Sequence, residues 1–332
     1  MQKYRLEIDG LRGISVILVV LYHAKVNFFS GGFFGVDIFF VISGFLITNI
    51  IINLIQKNQF SLIKFYERRI RRIIPALYIL LLFLVIYSYL IQGPYFSRDL
   101  SQSIFFTPIF LQNILNIFEG ANYFNLSYDL KPLGHTWSLS IEEQFYLIFP
   151  LVIFIFFKSS KQFLYNLILF LFLSSLFLYF YLGLSERYVG YHFFFTLSRV
   201  WEILFGCILA FKKFNFKKKS FLPLIGLTII VLSVIIQNYI SLALILRVFV
   251  VVGTGIIIIS SFQNQENLIN KILKSKILVF FGLISYSLYL WHMPIFSIYR
   301  DFFSFKTNII ENIYLIFITS VVNYLIIPII IN

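Results

Sequence analysis

The sequence has few charged residues and almost no cysteine. Charged residues make up 12% of the 332 positions, whereas soluble domains carry about a quarter, so a water-soluble globular protein is excluded. The one cysteine, Cys207, lies inside an apolar stretch and supports neither a disulfide framework nor a metal site. We therefore expect no metal. The first apolar run lacks a small-residue cleavage site, so we predict an uncleaved first span rather than a signal peptide.

Hydrophobic residues take the place of the missing charge, at 60% of the chain. A membrane-crossing helix needs roughly 20 apolar residues, and the continuous apolar runs at 79–91 and 250–260 lack the alternation of a barrel strand. We find no repeat and expect no soluble domain at either end. We predict an all-α, polytopic integral membrane helical bundle, one transmembrane domain over residues 1–332. The ten predicted spans centre near residues 20, 45, 83, 149, 172, 204, 230, 253, 288 and 320.

The distribution of basic residues gives an independent test of this topology. The formal charge of +13 comes from 27 Lys and Arg against 14 Asp and Glu. With the N-terminus in the cytoplasm, 19 of the basic residues fall in predicted inner loops and six in outer loops, while Arg199 and Arg247 fall at outer ends of spans. The positive-inside rule thus favours ten spans with both termini cytoplasmic. Residues 92–136 alternate too often between polar and apolar side chains to form a membrane span. Within them we predict a short re-entrant or interfacial helix over 104–115.

The first predicted span holds two ionisable residues, Arg12 and His23. Such groups are costly in a membrane, so they are functional candidates. They are 11 residues apart, and 11 steps of about 100° exceed three full turns by only about 20°, so both side chains lie on one helix face about 16 Å apart along the axis. The alternative is a snorkelling arginine and a histidine hydrogen-bonded inside the bundle.

A second candidate, Asp37, follows the Gly-rich turn at residues 31–35. If spans one and two form a hairpin, Asp37 lies near the membrane depth of His23. A carboxylate beside an imidazole holds the tautomer and raises the basicity, as a general base requires. The alternative is that Asp37 only caps the second helix.

Four arginines fall within five positions on the predicted cytoplasmic side: Arg68, Arg69, Arg71 and Arg72. They could fix topology or contact anionic lipid. They could equally bind the phosphates of a cytosolic ligand, since guanidinium groups match phosphate geometry. The sequence leaves both interpretations open.

Three further stretches place polar residues in apolar surroundings. In the stretch at 133–146, Glu142 and Glu143 point about 100° apart on a helix, so at least one must face the bundle. Arg199 and Glu202 have the spacing of a helical ion pair. The stretch at 282–294 contains Tyr286 and His292.

Together these stretches resemble the acyltransferase-3 family of transmembrane O-acyltransferases, over residues 4–325. The resemblance rests on the R-x10-H spacing of Arg12 and His23, Phe-Phe-Gly-Val-Asp37, the segment from Arg68 to Pro75, and Thr-Trp-Ser-Leu-Ser-Ile-Glu142. Arg199-Val-Trp-Glu202 and Ile-Ser-Tyr-Ser-Leu-Tyr-Leu-Trp-His292 complete it. All six motifs occur in order, separated by spans.

The resemblance implies an enzyme of the bacterial inner (cytoplasmic) membrane. It would transfer an acyl group, most often acetyl, from cytosolic acyl-CoA to a hydroxyl of an extracytoplasmic carbohydrate. It implies that His23 is the catalytic imidazole, with Asp37 and Glu142 supporting it. Arg12 and the four arginines Arg68, Arg69, Arg71 and Arg72 would bind the donor. The substrate-binding or supporting residues would be Ser43, Trp137, Ser138, Glu143, Arg199, Glu202, Tyr286 and His292.

Two mechanisms fit this assignment. His23 deprotonates the sugar hydroxyl for direct attack on the thioester, which we favour slightly, or it accepts the acyl group itself. The pantetheine arm of CoA is about as long as the rise from Arg12 to His23, so the nucleotide can stay on the cytoplasmic side.

The sequence departs from the family pattern at its end. Many members continue into an extracytoplasmic esterase-like domain, and a Glu-x-Pro and a basic tail are expected after the last span, but this chain ends at Asn332. We therefore expect acylation by the membrane part alone or with a separate periplasmic or extracellular partner. The alternative function is a lipid-linked glycan carrier or flippase whose buried charges line a substrate path.

Overall fold

The computed structural model describes residues 5–185, 188–211, 221–240, 242–261, 267–303 and residue 319. Over these residues the chain is helical and forms no strand, which confirms the predicted helical membrane protein. The α-helices in chain order are α1 Leu6–His23, α2 Gly35–Gln56, α3 Leu62–Tyr87, α4 Gly93–Phe106, α5 Gln112–Phe118, α6 Trp137–Ser159, α7 Lys161–Gly183, α8 Val189–Phe194, α9 Thr196–Phe211, α10 Leu222–Ile236, α11 Ala243–Ser261, α12 Leu268–Leu273, α13 Lys276–Leu283 and α14 Ser285–Phe303.

Six helical segments in the described part of the chain are long and apolar enough to cross a membrane: Gly32–Gln56, Leu62–Ile91, Gly134–Phe157, Lys161–Gly183, Tyr191–Phe211 and Ala243–Ser261. A seventh crossing results if α13 and α14, which meet at a bend of 71°, form one broken span. Helix α10 is shorter, and α1 carries the charges of Glu7, Asp9 and Arg12. The span predicted near residue 320 lies outside the described residues, so the count of ten stays a prediction.

The helix predicted over 104–115 is wrong as a single element. Helix α4 ends at Phe106 and α5 begins at Gln112, with Phe110 at a φ of 57° between them. Two side chains of α6 hydrogen-bond to the backbone between these helices. Gln144 Nε2 donates to the Phe110 carbonyl over 2.8 Å, and Ser140 Oγ accepts from the backbone N–H of Gln112 over 3.2 Å. These side chains replace the backbone hydrogen bonds that a continuous helix would make.

The described chain divides into two compact units. The first contains residues 1–50, 165–173 and 201–289. Its helices approach through glycines: a Cβ on Gly282 of α13 would lie 1.9 Å from the Asp9 carbonyl oxygen of α1, and a Cβ on Gly13 would lie 2.2 Å from the Leu278 carbonyl oxygen. Small residues allow such backbone contact between membrane helices.

The second unit contains residues 51–164, 174–200 and 290–332. Its core is rich in amides and hydroxyls. Asn116 Nδ2 donates to Tyr128 Oη over 2.8 Å, and Tyr128 Oη donates to the Gly134 carbonyl over 2.7 Å. These bonds fix the segment that leads into α6, so the buried start of that helix, at Trp137, is held in place.

Candidate functional site

Arg12 and His23 lie on the same continuous helix, α1. The predicted spacing along one helix face is therefore confirmed. His23 occupies the last turn, is 1% exposed, and packs edge-on against the Tyr22 ring with centroids 4.9 Å apart. Arg12 is half-buried and lies at the end of the second turn. One face of α1 thus carries a guanidinium near its start and a buried imidazole at its end.

Two partners hold the Arg12 guanidinium. Its Nη1 lies 3.6 Å from Asp9 Oδ1, one turn earlier on α1, and its Nη2 donates to Ser285 Oγ over 2.8 Å. Ser285 begins α14 and opens the motif that contains Tyr286 and His292. Two stretches that the sequence analysis singled out separately are therefore joined by a hydrogen bond within the first unit.

Asp37 is the third residue of α2 and is completely buried. Its Oδ1 lies 3.0 Å from Arg247 Nε on α11, and both side chains are 1% exposed. Capping alone does not account for Asp37, because its carboxylate neutralises a buried cation from another helix. Sequence analysis placed Arg247 at a span end without assigning it a role; the signal was a single charge in the apolar run of α11.

The Gly-rich turn lets the start of α2 approach α1. A Cβ on Gly35 would lie 2.3 Å from the Ser15 carbonyl oxygen, and one on Gly32 would lie 2.2 Å from the Leu18 carbonyl oxygen. Any other residue at these positions would push the two backbones apart. The glycines therefore place Asp37 close against the helix that carries Arg12 and His23.

Sequence analysis missed the acidic start of α1. Glu7 and Asp9 are buried, and Glu7 Oε1 lies 3.0 Å from Lys274 Nζ. The signal was present in the alternation of acidic and apolar residues from Leu6 to Leu11. These carboxylates offset the positive charge of Arg12 and Lys274 at this end of the first unit.

The four-arginine segment lies within the first turns of α3, in the second unit, and its side chains separate into two groups. Arg68, Arg71 and Arg72 are exposed, and Arg71 Nη2 lies 2.8 Å from Glu67 Oε1. Arg69 is half-buried and covers the Tyr146 ring of α6, with Cζ 4.3 Å from the ring centroid. Three guanidinium groups are therefore accessible to a ligand, while the fourth packs against α6.

The two adjacent glutamates of α6 have different surroundings, as their spacing predicts. Tyr146 Oη donates to Glu142 Oε2 over 3.4 Å. Glu143 lies in the electrostatic field of Arg69, Arg72 and Glu142. It also lines a cavity of about 280 Å³ whose walls include Tyr66, Arg69, Phe110, Gln144 and Tyr146. Glu143 is thus the member of the pair that meets the arginine segment.

Two buried contacts involve the remaining predicted residues Trp137, Arg199 and His292 of the second unit. The Arg199 guanidinium packs between Trp137 and Phe193, with Cζ 5.1 Å and 5.2 Å from the two ring centroids. His292 packs edge-on against His135, with ring centroids 5.0 Å apart and both rings buried. His135 lies in the 133–146 stretch, and the sequence pattern assigned it no role. Ser138 is also buried.

The first unit contains the other three predicted residues. Glu202 is completely buried on α9, whereas Ser43 on α2 and Tyr286 on α14 are half-buried. Within the described residues, no three His, Cys, Asp or Glu side chains are grouped so that they could hold a metal ion.

Comparison with known proteins identifies relatives over almost the whole chain. The family model described as "Acyltransferase domain" matches residues 5–331. The chain is 36% identical over 316 residues to the peptidoglycan O-acetyltransferase OatA of Listeria monocytogenes, covering 90% of this chain and 50% of that protein. It is 34% identical over 328 residues to the O-acetyltransferase OatA of Staphylococcus aureus, covering 91% and 52% respectively.

A third relative is a putative O-acetyltransferase of Staphylococcus aureus, 31% identical over 327 residues, with 91% of this chain and 52% of that protein covered. The chain spans about half the length of these curated relatives. No solved structure matches it.

Proposed function

Because the chain belongs to the acyltransferase domain family, whose model matches residues 5–331, we propose that it transfers an acyl group between a soluble donor and a glycan. The donor is acyl-CoA, most simply acetyl-CoA, from the cytosol. The acceptor is a hydroxyl of an extracytoplasmic carbohydrate, and the name of one relative, a peptidoglycan O-acetyltransferase, favours a cell-wall glycan. The enzyme works in the bacterial cytoplasmic membrane, with the bilayer around its apolar helices.

The observation that carries this proposal is that Arg12 and His23 lie on the same helix, α1. An imidazole that is 1% exposed is shielded from bulk water, and a guanidinium held by Asp9 and Ser285 has a fixed position. Catalytic groups in fixed positions lower the barrier of a bimolecular transfer, because less translational and rotational entropy is lost in the transition state. Arg12 therefore positions the donor while His23 acts on the reacting atoms.

His23 is the general base of the reaction. Its imidazole takes the proton of the sugar hydroxyl as the oxygen attacks the thioester carbonyl carbon. The new C–O bond forms and the C–S bond breaks, and the departing CoA thiolate receives the proton from the imidazolium. Asp37, which is paired with Arg247, and Glu142, which accepts a hydrogen bond from Tyr146, are the supporting carboxylates.

The exposed guanidinium groups of Arg68, Arg71 and Arg72 bind the phosphates of the donor. Three accessible guanidinium groups on one helix match a ligand with several phosphates. The positive-inside pattern predicts that this end of α3 faces the cytoplasm, where acyl-CoA is present.

Substitution of His23 tests the proposal. Purified wild-type protein in lipid vesicles should release free CoA thiol from acetyl-CoA when a peptidoglycan-type acceptor is supplied. His23→Ala should lose at least about a hundredfold in rate, as expected for removal of a general base. The control is His192→Ala, which removes a half-buried histidine of α8.

Three outcomes would contradict parts of the proposal. Full activity in His23→Ala would refute the base assignment. Movement of a lipid-linked glycan without CoA release by the wild type would favour a carrier instead. Recovery of labelled acetyl on His23 in the absence of acceptor would replace direct transfer with an acyl-histidine intermediate.

A further inference from the structure

The cavity beside the arginine segment has walls that are fixed before any ligand enters. Tyr66 Oη donates to the Leu147 carbonyl over 2.8 Å, and the Tyr146 ring is covered by Arg69. Phe110 has a φ of 57°, an uncommon backbone conformation for a residue other than glycine. Strain of this kind persists where surrounding bonds impose it, often at ligand sites.

The strained Phe110 is held from α6. Gln144 Nε2 donates to the Phe110 carbonyl over 2.8 Å and to Asn113 Oδ1 over 3.0 Å, while Gln144 Oε1 accepts from Thr196 Oγ1 over 2.6 Å. Every polar atom of the Gln144 side chain is therefore engaged in holding the turn. The aromatic wall provided by Phe110 is preorganised, and Gln144 is not available to a ligand.

One polar atom in this cavity lacks a protein partner. Glu143 Oε1 is buried and makes no hydrogen bond within the part of the chain that the structure describes. Buried polar atoms are almost always hydrogen-bonded in native proteins. A carboxyl oxygen that carries no proton accepts hydrogen bonds and cannot donate one, so the ligand that satisfies Oε1 supplies an N–H or O–H group.

The cavity is small, and cationic side chains lie beside it. Its volume is about 280 Å³, whereas the smallest typical ligand pockets have a volume of about 300 Å³. The cavity therefore suits one ring system rather than a whole nucleotide. Arg68 and Arg72 are exposed on the same helix as its Tyr66 and Arg69 walls. The chemistry that fits is an aromatic ring with a donor group, attached to phosphates outside.

We infer that this cavity binds the adenine ring of the donor nucleotide, with Glu143 Oε1 accepting a hydrogen bond from the exocyclic amine. The aromatic walls, Phe110 above all, contact the faces of the base, and the exposed arginines of α3 bind the phosphates. The inference rests on the proposed use of acyl-CoA as donor. It adds a subsite that selects the base, separate from the groups that act on the thioester.

Base selectivity tests the inference without any variant. Purified protein is titrated with 3′-phosphoadenosine 5′-phosphate and with its purine counterpart, in which a hydrogen replaces the exocyclic amine. The wild type should bind the adenine compound about tenfold more tightly, because unsubstituted purine has no N–H group on this edge to donate to Glu143 and leaves it unsatisfied.

Variants then assign the selectivity to individual side chains. Glu143→Leu should remove the preference between bases, whereas Glu143→Gln should keep most of it, because the amide oxygen still accepts a hydrogen bond. Both variants are uncharged at this position, so their difference isolates the hydrogen-bond acceptor. Phe110→Ala should weaken both nucleotides about tenfold through lost stacking. The matched control is Phe118→Ala, at a ring that is 82% exposed.

The possible failures are distinguishable. If the wild type uses acetyl-CoA but binds both bases equally, the proposed function stands and the adenine subsite is refuted. Retained preference in Glu143→Leu also refutes it. If the wild type neither uses acetyl-CoA nor binds either nucleotide, the donor assignment fails as well. Displacement of both nucleotides by phosphatidylglycerol but not phosphatidylcholine, without base preference, would identify the cavity as a lipid site instead.

Discussion

Arg247 Nε lies 3.0 Å from Asp37 Oδ1, and each side chain is only 1% exposed. The pair connects the second turn of one apolar helix, α11, to the first turn of another, α2. Arg247 also lies against the Phe33 ring, with Cζ 5.9 Å from its centroid. A charge buried to this degree is tolerated because its counter-charge is buried with it.

We predict that breaking this pair destabilises the first unit. Asp37→Ala should lower the free energy of unfolding by about 3 kcal/mol or more, because Arg247 is left buried without its counter-charge. The double variant Asp37→Ala with Arg247→Met should recover much of this loss. Glu67→Ala, which breaks the exposed pair with Arg71, should change stability by less than about 1 kcal/mol. Denaturant unfolding in detergent gives these values; equal losses at both sites would contradict the prediction.

The glycine contacts between α1 and α13 predict a second stability effect. Gly282→Ala should cost about 3 kcal/mol, because its Cβ would meet the Asp9 carbonyl oxygen at 1.9 Å and neither backbone can move without separating the helices. Gly120→Ala provides the control, since Gly120 has a φ of 60° and no neighbour within 4 Å. It should cost only about 1 kcal/mol of backbone strain. The two thermal unfolding midpoints, measured side by side, would contradict the prediction if they coincide.

The hydrogen bond from Arg12 to Ser285 predicts an effect on donor use. Ser285→Ala should reduce kcat/KM for acetyl-CoA about tenfold, because it removes a hydrogen bond to a charged group worth about 1.5 kcal/mol or more. Ser297→Ala is the matched control, since Ser297 is buried but bonds only a carbonyl of its own helix turn, Pro294. We expect Ser297→Ala to leave the donor kinetics unchanged. A wild-type value in Ser285→Ala would separate Arg12 from donor positioning.

The predicted topology can be measured directly. A reporter fused at Tyr128 should lie on the extracytoplasmic side, and one fused at Lys217 should lie in the cytoplasm. The charge bias supports this arrangement, because a missed or extra span would reverse the bias of every later loop. Lys217 lies outside the described residues. The opposite pattern at either position would refute the arrangement of ten spans.

Much of the fold follows from composition and spacing. The apolar runs predict helices at residues that α2, α3, α6, α7, α9 and α11 now occupy, because a backbone in lipid must satisfy its own hydrogen bonds. The helix predicted over 104–115 failed for the opposite reason. There, side chains of α6 satisfy the backbone of residues 110 and 112, and local hydropathy contains no information about such a distant partner.

The sequence alone determined which residues are candidates for the functional site. Arg12, His23, Asp37 and Glu143 are conspicuous because charge is rare in this chain and costly in a membrane. Their helical spacing also fixed the common face of Arg12 and His23, since that relation depends only on the geometry of one helix.

Only the tertiary structure decided their partners. It joined Arg12 to Ser285, 273 positions later in the chain, and Asp37 to Arg247. It also put Glu143 against the arginine segment of α3. The separation of two residues in the sequence does not predict these distances, because each pair forms only when the helices pack together. Here that packing is set by backbone contacts at glycines and by side chains that must find a counter-charge once water is excluded.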